Sequence, residues 1–243
     1  MKFKTLAVLT LFGSQTVCAG ATLDWGYADQ QAPANWANLN EKYHACSGVN
    51  QSPINIDHTV DAELPPLQFN YVASTQSIVN NARTVQVNFN EGNFLSLDGK
   101  QFELKQFHLH SPSENTIHGK SFPMEMHLVH ASKDGELTVV AVMFEEGKSN
   151  QKLAKLWKEL PKQAGGATAL KHQDLANAFL PEKLDYYRFN GSLTTPPCSE
   201  GVRWIVLKDV QHASAKQIKA FSSLMEHPNN RPVQAQNARL VLE

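Results

Sequence analysis

The chain has little of several things. Only three cysteines occur in 243 residues, which leaves room for a single intrachain disulfide. Charge of one sign is also missing: 22 Lys and Arg stand against 23 Asp and Glu, a formal net charge of −1. No Lys/Arg cluster dominates any stretch, which argues against a nucleic-acid partner held by phosphate contacts. Apolar runs are short, and none approaches the roughly 18 residues that a membrane-spanning helix needs. No internal repeat, low-complexity tract or Pro/Ser-rich linker divides the chain, so one domain is expected. The metallohydrolase pattern H-E-x-x-H is absent too. What is present, 42% hydrophobic residues, is ample for a substantial core.

The N-terminus differs in character from the rest. Lys2 and Lys4 precede an apolar run from Thr5 to Gly13, and small residues follow at Val17-Cys18-Ala19 and Ala19-Gly20-Ala21. This is the layout of a secretory signal peptide. It is expected to cover residues 1–19, with Ala21 as the alternative cleavage point, and to leave a mature domain over 22–243. Export implies a periplasmic or secreted protein. Losing Cys18 leaves Cys46 and Cys198, which in an oxidising compartment read as one disulfide. Such a bridge constrains the unfolded chain by roughly 5 kcal/mol in the loop-entropy picture.

Strand signals dominate the middle of the chain. Thr84 to Phe89 and Phe94 to Leu97 alternate apolar and polar residues. Asp98-Gly99 and Asp134-Gly135 are hairpin signals, leading into Lys100–Leu104 and Leu137–Met143. Val202–Leu207 is a further β-rich run. Two helices are predicted: Gln151–Leu160, ending at Pro161, and Ser214–Met225, opening with a Ser214…Gln217 capping box. The fold class is therefore mainly β: a single domain on a large, mostly antiparallel twisted sheet with peripheral helices.

Three of the ten histidines form a pattern. His108 and His110 sit two apart in a strand, so their side chains leave the same face. His127 lies in a second strand that a modest loop can bring alongside. Three imidazoles from neighbouring strands are the ligand set of a catalytic zinc site with water in the fourth position. Taken alone, such a set is more often a chance grouping of surface or core histidines. Gln106 and Glu125 strengthen the case. Each lies two residues before a histidine, on its face, where it can accept the remaining imidazole N–H. His130, three residues from His127, faces the other way and reads as buried and structural.

Several runs taken together resemble the α-type carbonic anhydrases, in that family's order. They are Asp24-Trp-Gly-Tyr27, Gln51-Ser-Pro-Ile-Asn-Ile56, Gln106-Phe-His-Leu-His110, Ser113-Glu-Asn115, Glu125-Met-His-Leu-Val-His130, Gly191-Ser-Leu-Thr-Thr-Pro-Pro-Cys-Ser-Glu200, Trp204-Ile-Val-Leu-Lys208 and Asn229-Asn-Arg-Pro232. The resemblance spans nearly the whole mature chain. It implies one catalytic Zn2+ on His108, His110 and His127, and reversible hydration of carbon dioxide to bicarbonate by the hydroxide that zinc generates near neutral pH. It implies that Thr194 orients that hydroxide and donates to Glu114. It places Thr195 near bicarbonate and Val129, Val139, Leu193 and Trp204 in the carbon dioxide pocket. Without the resemblance, Glu114 reads as a loop residue, Thr194-Thr195 as a turn, and the four apolar residues as core.

Two departures stand out. Asn80-Asn-Ala-Arg83 puts Arg83 where fast relatives carry a proton-shuttling histidine, and guanidinium does not release a proton at working pH. Phe189 stands where many relatives have Tyr. Competing expectations are a non-catalytic zinc-binding or adhesion module on the same fold, and ester hydrolysis as a side activity of the same site. A homodimer is compatible with the sequence, but no motif fixes an interface.

Overall fold

The computed structural model describes residues 25–165, 167–170, 175–225 and 227–243. The expected signal peptide, with its alternative cleavage points, lies outside the described residues, as does His172. In chain order the strands are β1 (Asn55–Ile56), β2 (Gln68–Tyr71), β3 (Thr75–Asn80), β4 (Val85–Phe89), β5 (Asn93–Leu97), β6 (Lys100–His110) and β7 (Thr116–Ile117). They continue with β8 (Met124–Ala131), β9 (Leu137–Glu146), β10 (Thr168–Ala169), β11 (Tyr186–Ser192), β12 (Glu200–Leu207) and β13 (Gln211–Ala213). Three short α-helices accompany them: α1 (Trp36–Leu39), α2 (Gln151–Leu156) and α3 (Ala215–Ser222).

One large sheet runs in the order β10-β3-β4-β6-β8-β9-β12-β11, with β5 also on β6, β2 on β5 and β13 on β9. Neighbours are antiparallel except where β12 and β13 join β9 in parallel. The mainly β, mostly antiparallel architecture expected from the alternating runs is therefore the one observed. Alternation along the central strands separates two cores. Phe107, Leu109, Met126, Leu128, Val140, Val142 and Ile205 face the larger one, whereas Val139, Ala141, Met143, Val202 and Trp204 face the smaller.

Local chemistry explains the connections. Asp98 and Gly99 both take positive φ, 52° and 70°, and close β5 onto β6 as a two-residue hairpin. At the second Asp-Gly only Gly135 is left-handed, within a longer loop between Ala131 and Leu137. Both helices end earlier than the apolar periodicity predicts. After α2, Lys158 and Glu159 donate to carbonyls three residues back, and Pro161 disfavours helix at Leu160. After α3, Leu224 likewise donates to Phe221. The Ser214/Gln217 capping box is present, and Gln217 also bonds Asn150, the cap of α2.

His130 sits on the large-core side, fully buried. Its Nδ1 lies 3.3 Å from the Thr138 carbonyl, which can only accept, so Nε2 accepts from the Tyr71 hydroxyl at 2.6 Å. Burial pushes its pKa down to about 4. The unfolded chain therefore binds one more proton between about pH 6.5 and 4, and stability is lost as pH falls through that window. In urea unfolding of the metal-free protein, H130Q is expected to lose roughly 3 kcal/mol less than the wild type between pH 7 and 4. Equal losses would contradict a neutral, buried His130.

Candidate active site

The register of β6 on β8 builds the site. His108 is paired with His127 and His110 with Glu125, so the side chains of Gln106, His108, His110, Glu125, His127 and Val129 share one face. Imidazole centroids are 5.0, 5.3 and 4.6 Å apart. One ligand nitrogen from each histidine lies within 4.8 Å of the other two. The structure thus brings together the three histidines that the sequence singles out.

Each ring is held from behind. His108 Nδ1 donates to Gln106 Oε1 at 2.8 Å, His110 Nδ1 to the Asn229 carbonyl at 2.6 Å, and His127 Nε2 to Glu125 Oε1 at 2.8 Å. The lone pairs that remain are Nε2 of His108, Nε2 of His110 and Nδ1 of His127. Burial holds all three pKa values below the ordinary histidine range, most strongly at His108 and His127, so the rings are neutral. His110 Nε2 is buried and makes no hydrogen bond. Three neutral, converging nitrogens fit a metal ion with imidazole affinity and one open position.

Glu125 is fully buried and accepts four hydrogens: the amides of Glu114 and Asn115, the Asn115 side chain, and His127. Burial raises its pKa, and these donors oppose the rise. Glu114 is also buried, with its pKa pushed well above the carboxylate range by burial. Its Oε1 accepts from the Arg231 amide at 2.8 Å. Its Oε2 lies 3.4 Å from His110 Nε2 and 3.9 Å from His127 Nδ1. Thr194, 5% exposed, is next to this carboxylate, and its hydroxyl pulls the Glu114 pKa down. Oε2 has no hydrogen-bond partner.

Of the four expected pocket residues, Val129 shares the face of the histidines and Trp204 lies against His127. Val129 pairs with Val139, and Val139 with Trp204, forming one row across β8, β9 and β12. Leu193 packs against the same core, and the Trp204 ring lies 4.9 Å from His127. Phe189 stacks on Trp204. A cavity of about 130 Å3 opens over His108 and His110 and is lined also by Trp25, Tyr27, Arg83 and Thr195. Arg83 donates Nε and Nη2 to the Trp25 carbonyl, and its guanidinium lies 3.8 Å over the Trp25 ring. The Cys46–Cys198 disulfide is formed, with Cα atoms 4.9 Å apart. His44, His58, His118, His212 and His227 are exposed and join no metal-competent group among the described residues.

Sequence reasoning missed Asn229, Asn115 and Arg231. All three were visible only as parts of the Ser113-Glu-Asn115 and Asn229-Asn-Arg-Pro232 runs; the direct bonds of Asn229 to His110 and of Arg231 to Glu114 use main-chain atoms, which no residue pattern reveals.

The profile described as eukaryotic-type carbonic anhydrase matches residues 31–243. A carbonic anhydrase of Pectobacterium atrosepticum is 47% identical over 243 residues, covering all of both chains. One from Neisseria gonorrhoeae is 47% identical over 221 residues, 90% of this chain and 87% of its own. The α-carbonic anhydrase of Thermovibrio ammonificans, solved with the inhibitor sulfanilamide, superposes with a TM-score of 0.88 at 45% identity. That match covers 90% of this chain and 98% of the other.

Replacing Glu125 by Gln turns one acceptor into a donor facing other donors, which disorients His127. E125Q is expected to lower metal affinity 10- to 100-fold in chelator competition, and Q106A less, because His108 is partly exposed. Unchanged affinity in E125Q would contradict the role of Glu125. The converging histidines, the sheet that carries them and the full-length matches together place the chain in the eukaryotic-type, or α, carbonic anhydrase family.

Proposed function

We propose that the protein catalyses the reversible hydration of carbon dioxide to bicarbonate and a proton, with one zinc ion held by His108, His110 and His127. The observation that carries this reading is the common tautomeric logic of the three rings: three acceptors behind them turn three neutral lone pairs to one point. Zinc, when bound, supplies the Lewis acidity that makes a nucleophile of water near neutral pH.

The chain's own residues then aim and sequester the reaction. Gln106, Glu125 and the Asn229 carbonyl fix the rings. Burial alone favours a protonated Glu114, and the positive charge of a bound zinc ion would oppose that and favour the carboxylate. As a carboxylate Glu114 can only accept, which commits the Thr194 hydroxyl to donating to it. Thr194 Oγ1 is then left to accept from the attacking water, and so aims a lone pair at carbon dioxide. Val129, Val139, Leu193 and Trp204 give the substrate an apolar surface, and Thr195 faces the product. Ester hydrolysis is a side reaction of this same centre. The N-terminal signal layout and the Cys46–Cys198 bridge support export to the periplasm or beyond, with residues 1–19 (or 1–21) removed and 22–243 forming the enzyme.

Arg83 holds its proton at every working pH and is pinned to Trp25, so it does not relay protons from the cleft. Stopped-flow hydration by the zinc-loaded protein is expected to climb steeply with buffer concentration, and R83H to flatten that dependence. No turnover at any buffer concentration would overturn the enzymatic reading; a high, flat rate in the wild type would overturn the account of Arg83. T194A is expected to lower kcat/KM on the order of 100-fold with metal content unchanged, and full activity would remove Thr194 from the mechanism.

A further inference from the structure

We propose that Arg231 is a positioning residue that sets the Glu114–Thr194 contact from both sides, an inference that rests on the roles given to those two residues above. Arg231 is 2% exposed. Its guanidinium donates three bonds into a single segment of chain. Nη1 reaches Gln51 Oε1 and the Ser52 carbonyl, each at 2.8 Å, and Nη2 reaches the Cys46 carbonyl at 2.8 Å. All three acceptors are neutral oxygens, and burial lowers the pKa of the guanidinium, partly offset by the charge of Glu114. Burying a cation on neutral acceptors, with Nε left unpartnered, is costly; the Trp36 ring, 5.5 Å from the guanidinium carbon, supplies a cation–π contact against that cost.

That segment brackets the loop carrying Thr194. On one side, Ser52 and Ser192 exchange bonds, Ser52 N to Ser192 Oγ at 2.9 Å and Ser192 N to Ser52 Oγ at 3.1 Å. On the other, Cys46 is bonded to Cys198, and Gln51 Nε2 donates to the Cys198 carbonyl at 3.2 Å. Residues 193–197 are therefore held at both ends by chain that Arg231 grips. The main-chain amide of the same residue donates to Glu114 Oε1 at 2.8 Å. Arg231 thus holds Glu114 by its backbone and the Thr194 loop by its side chain. The distance between the two depends on one rigid group. A planar fork can reach three acceptors at once, which a lysine ammonium on a flexible stem does not reproduce.

The test is a double-mutant cycle on the zinc-loaded enzyme, combined with hydrogen exchange on the metal-free protein. R231M is expected to lower kcat/KM about tenfold in the wild-type background and less than about twofold in an E114Q background, because the interaction it serves is already lost there. Equal fold losses in both backgrounds would reduce Arg231 to general structural support and overturn the proposal. R231K keeps the charge and guards against an R231M that does not fold. In either variant, amide exchange at Leu193, Thr194, Thr195 and Cys198 of the metal-free protein is expected to rise at least about tenfold; unchanged exchange would overturn the proposal independently of activity. If E114Q alone keeps full turnover, the reading of Glu114 fails, while the exchange measurement still decides whether Arg231 holds the loop.

Discussion

The pairing of β6 with β8 in one register is the constraint on which the site depends. Side chains alternate across a strand, so a slip of one residue would turn His108 and His110 into the large core and bring Phe107 and Leu109 out. The register is fixed by what lies behind it. Phe107, Leu109, Met126 and Leu128 are completely buried on the opposite face, each worth about 2 kcal/mol of hydrophobic free energy. The apolar face thereby positions the polar one. Chemistry sits on a sheet that is already held rigid, and no loop needs to fold around the metal to bring the rings together.

A buried polar cluster costs stability unless its members satisfy one another. Here they do so in concentric layers. Imidazoles donate to Gln106, Glu125 and Asn229; Glu125 takes further hydrogens from the 114–115 segment; Glu114 takes one from Arg231. Asn229 adds a second tie, since its side chain accepts from the Ser111 amide and donates to the carbonyls of Arg83 and Leu109. Four buried side-chain atoms among the described residues lack a hydrogen-bond partner, and two of them, His110 Nε2 and Glu114 Oε2, face the reaction centre; the others are Thr138 Oγ1 and Arg231 Nε. The disulfide contributes by fastening the loop after Thr195 to the N-terminal segment, 152 residues earlier in the chain.

Much of this was legible in the sequence for a definite reason. Period-two alternation survives in β4, β6 and β8 because each buries apolar residues on one face and mostly polar ones on the other, whereas β9 is apolar on both faces and reads as a continuous run. That same alternation placed Gln106 and Glu125 behind the histidines. Helix ends were less legible, because the turn after Leu156 tightens through bonds three residues back that apolar spacing does not encode. The parallel entry of β12 beside β9 was also hidden, since strand direction depends on connections that no local pattern reports. Least legible were bonds made by main-chain atoms, such as the Asn229 carbonyl and the Arg231 amide. Arg83 was legible as a replaced shuttle, but not as the residue that clasps Trp25.

The central claim is that three neutral rings present Nε2, Nε2 and Nδ1 to a single metal ion. Long-range 15N–1H correlation of the histidine rings in the zinc-loaded protein tests it directly. The account predicts metal-bound Nε2 at His108 and His110 and metal-bound Nδ1 at His127, with the opposite nitrogen of each ring protonated. A His127 bound through Nε2, or any of the three rings free of metal, would contradict it.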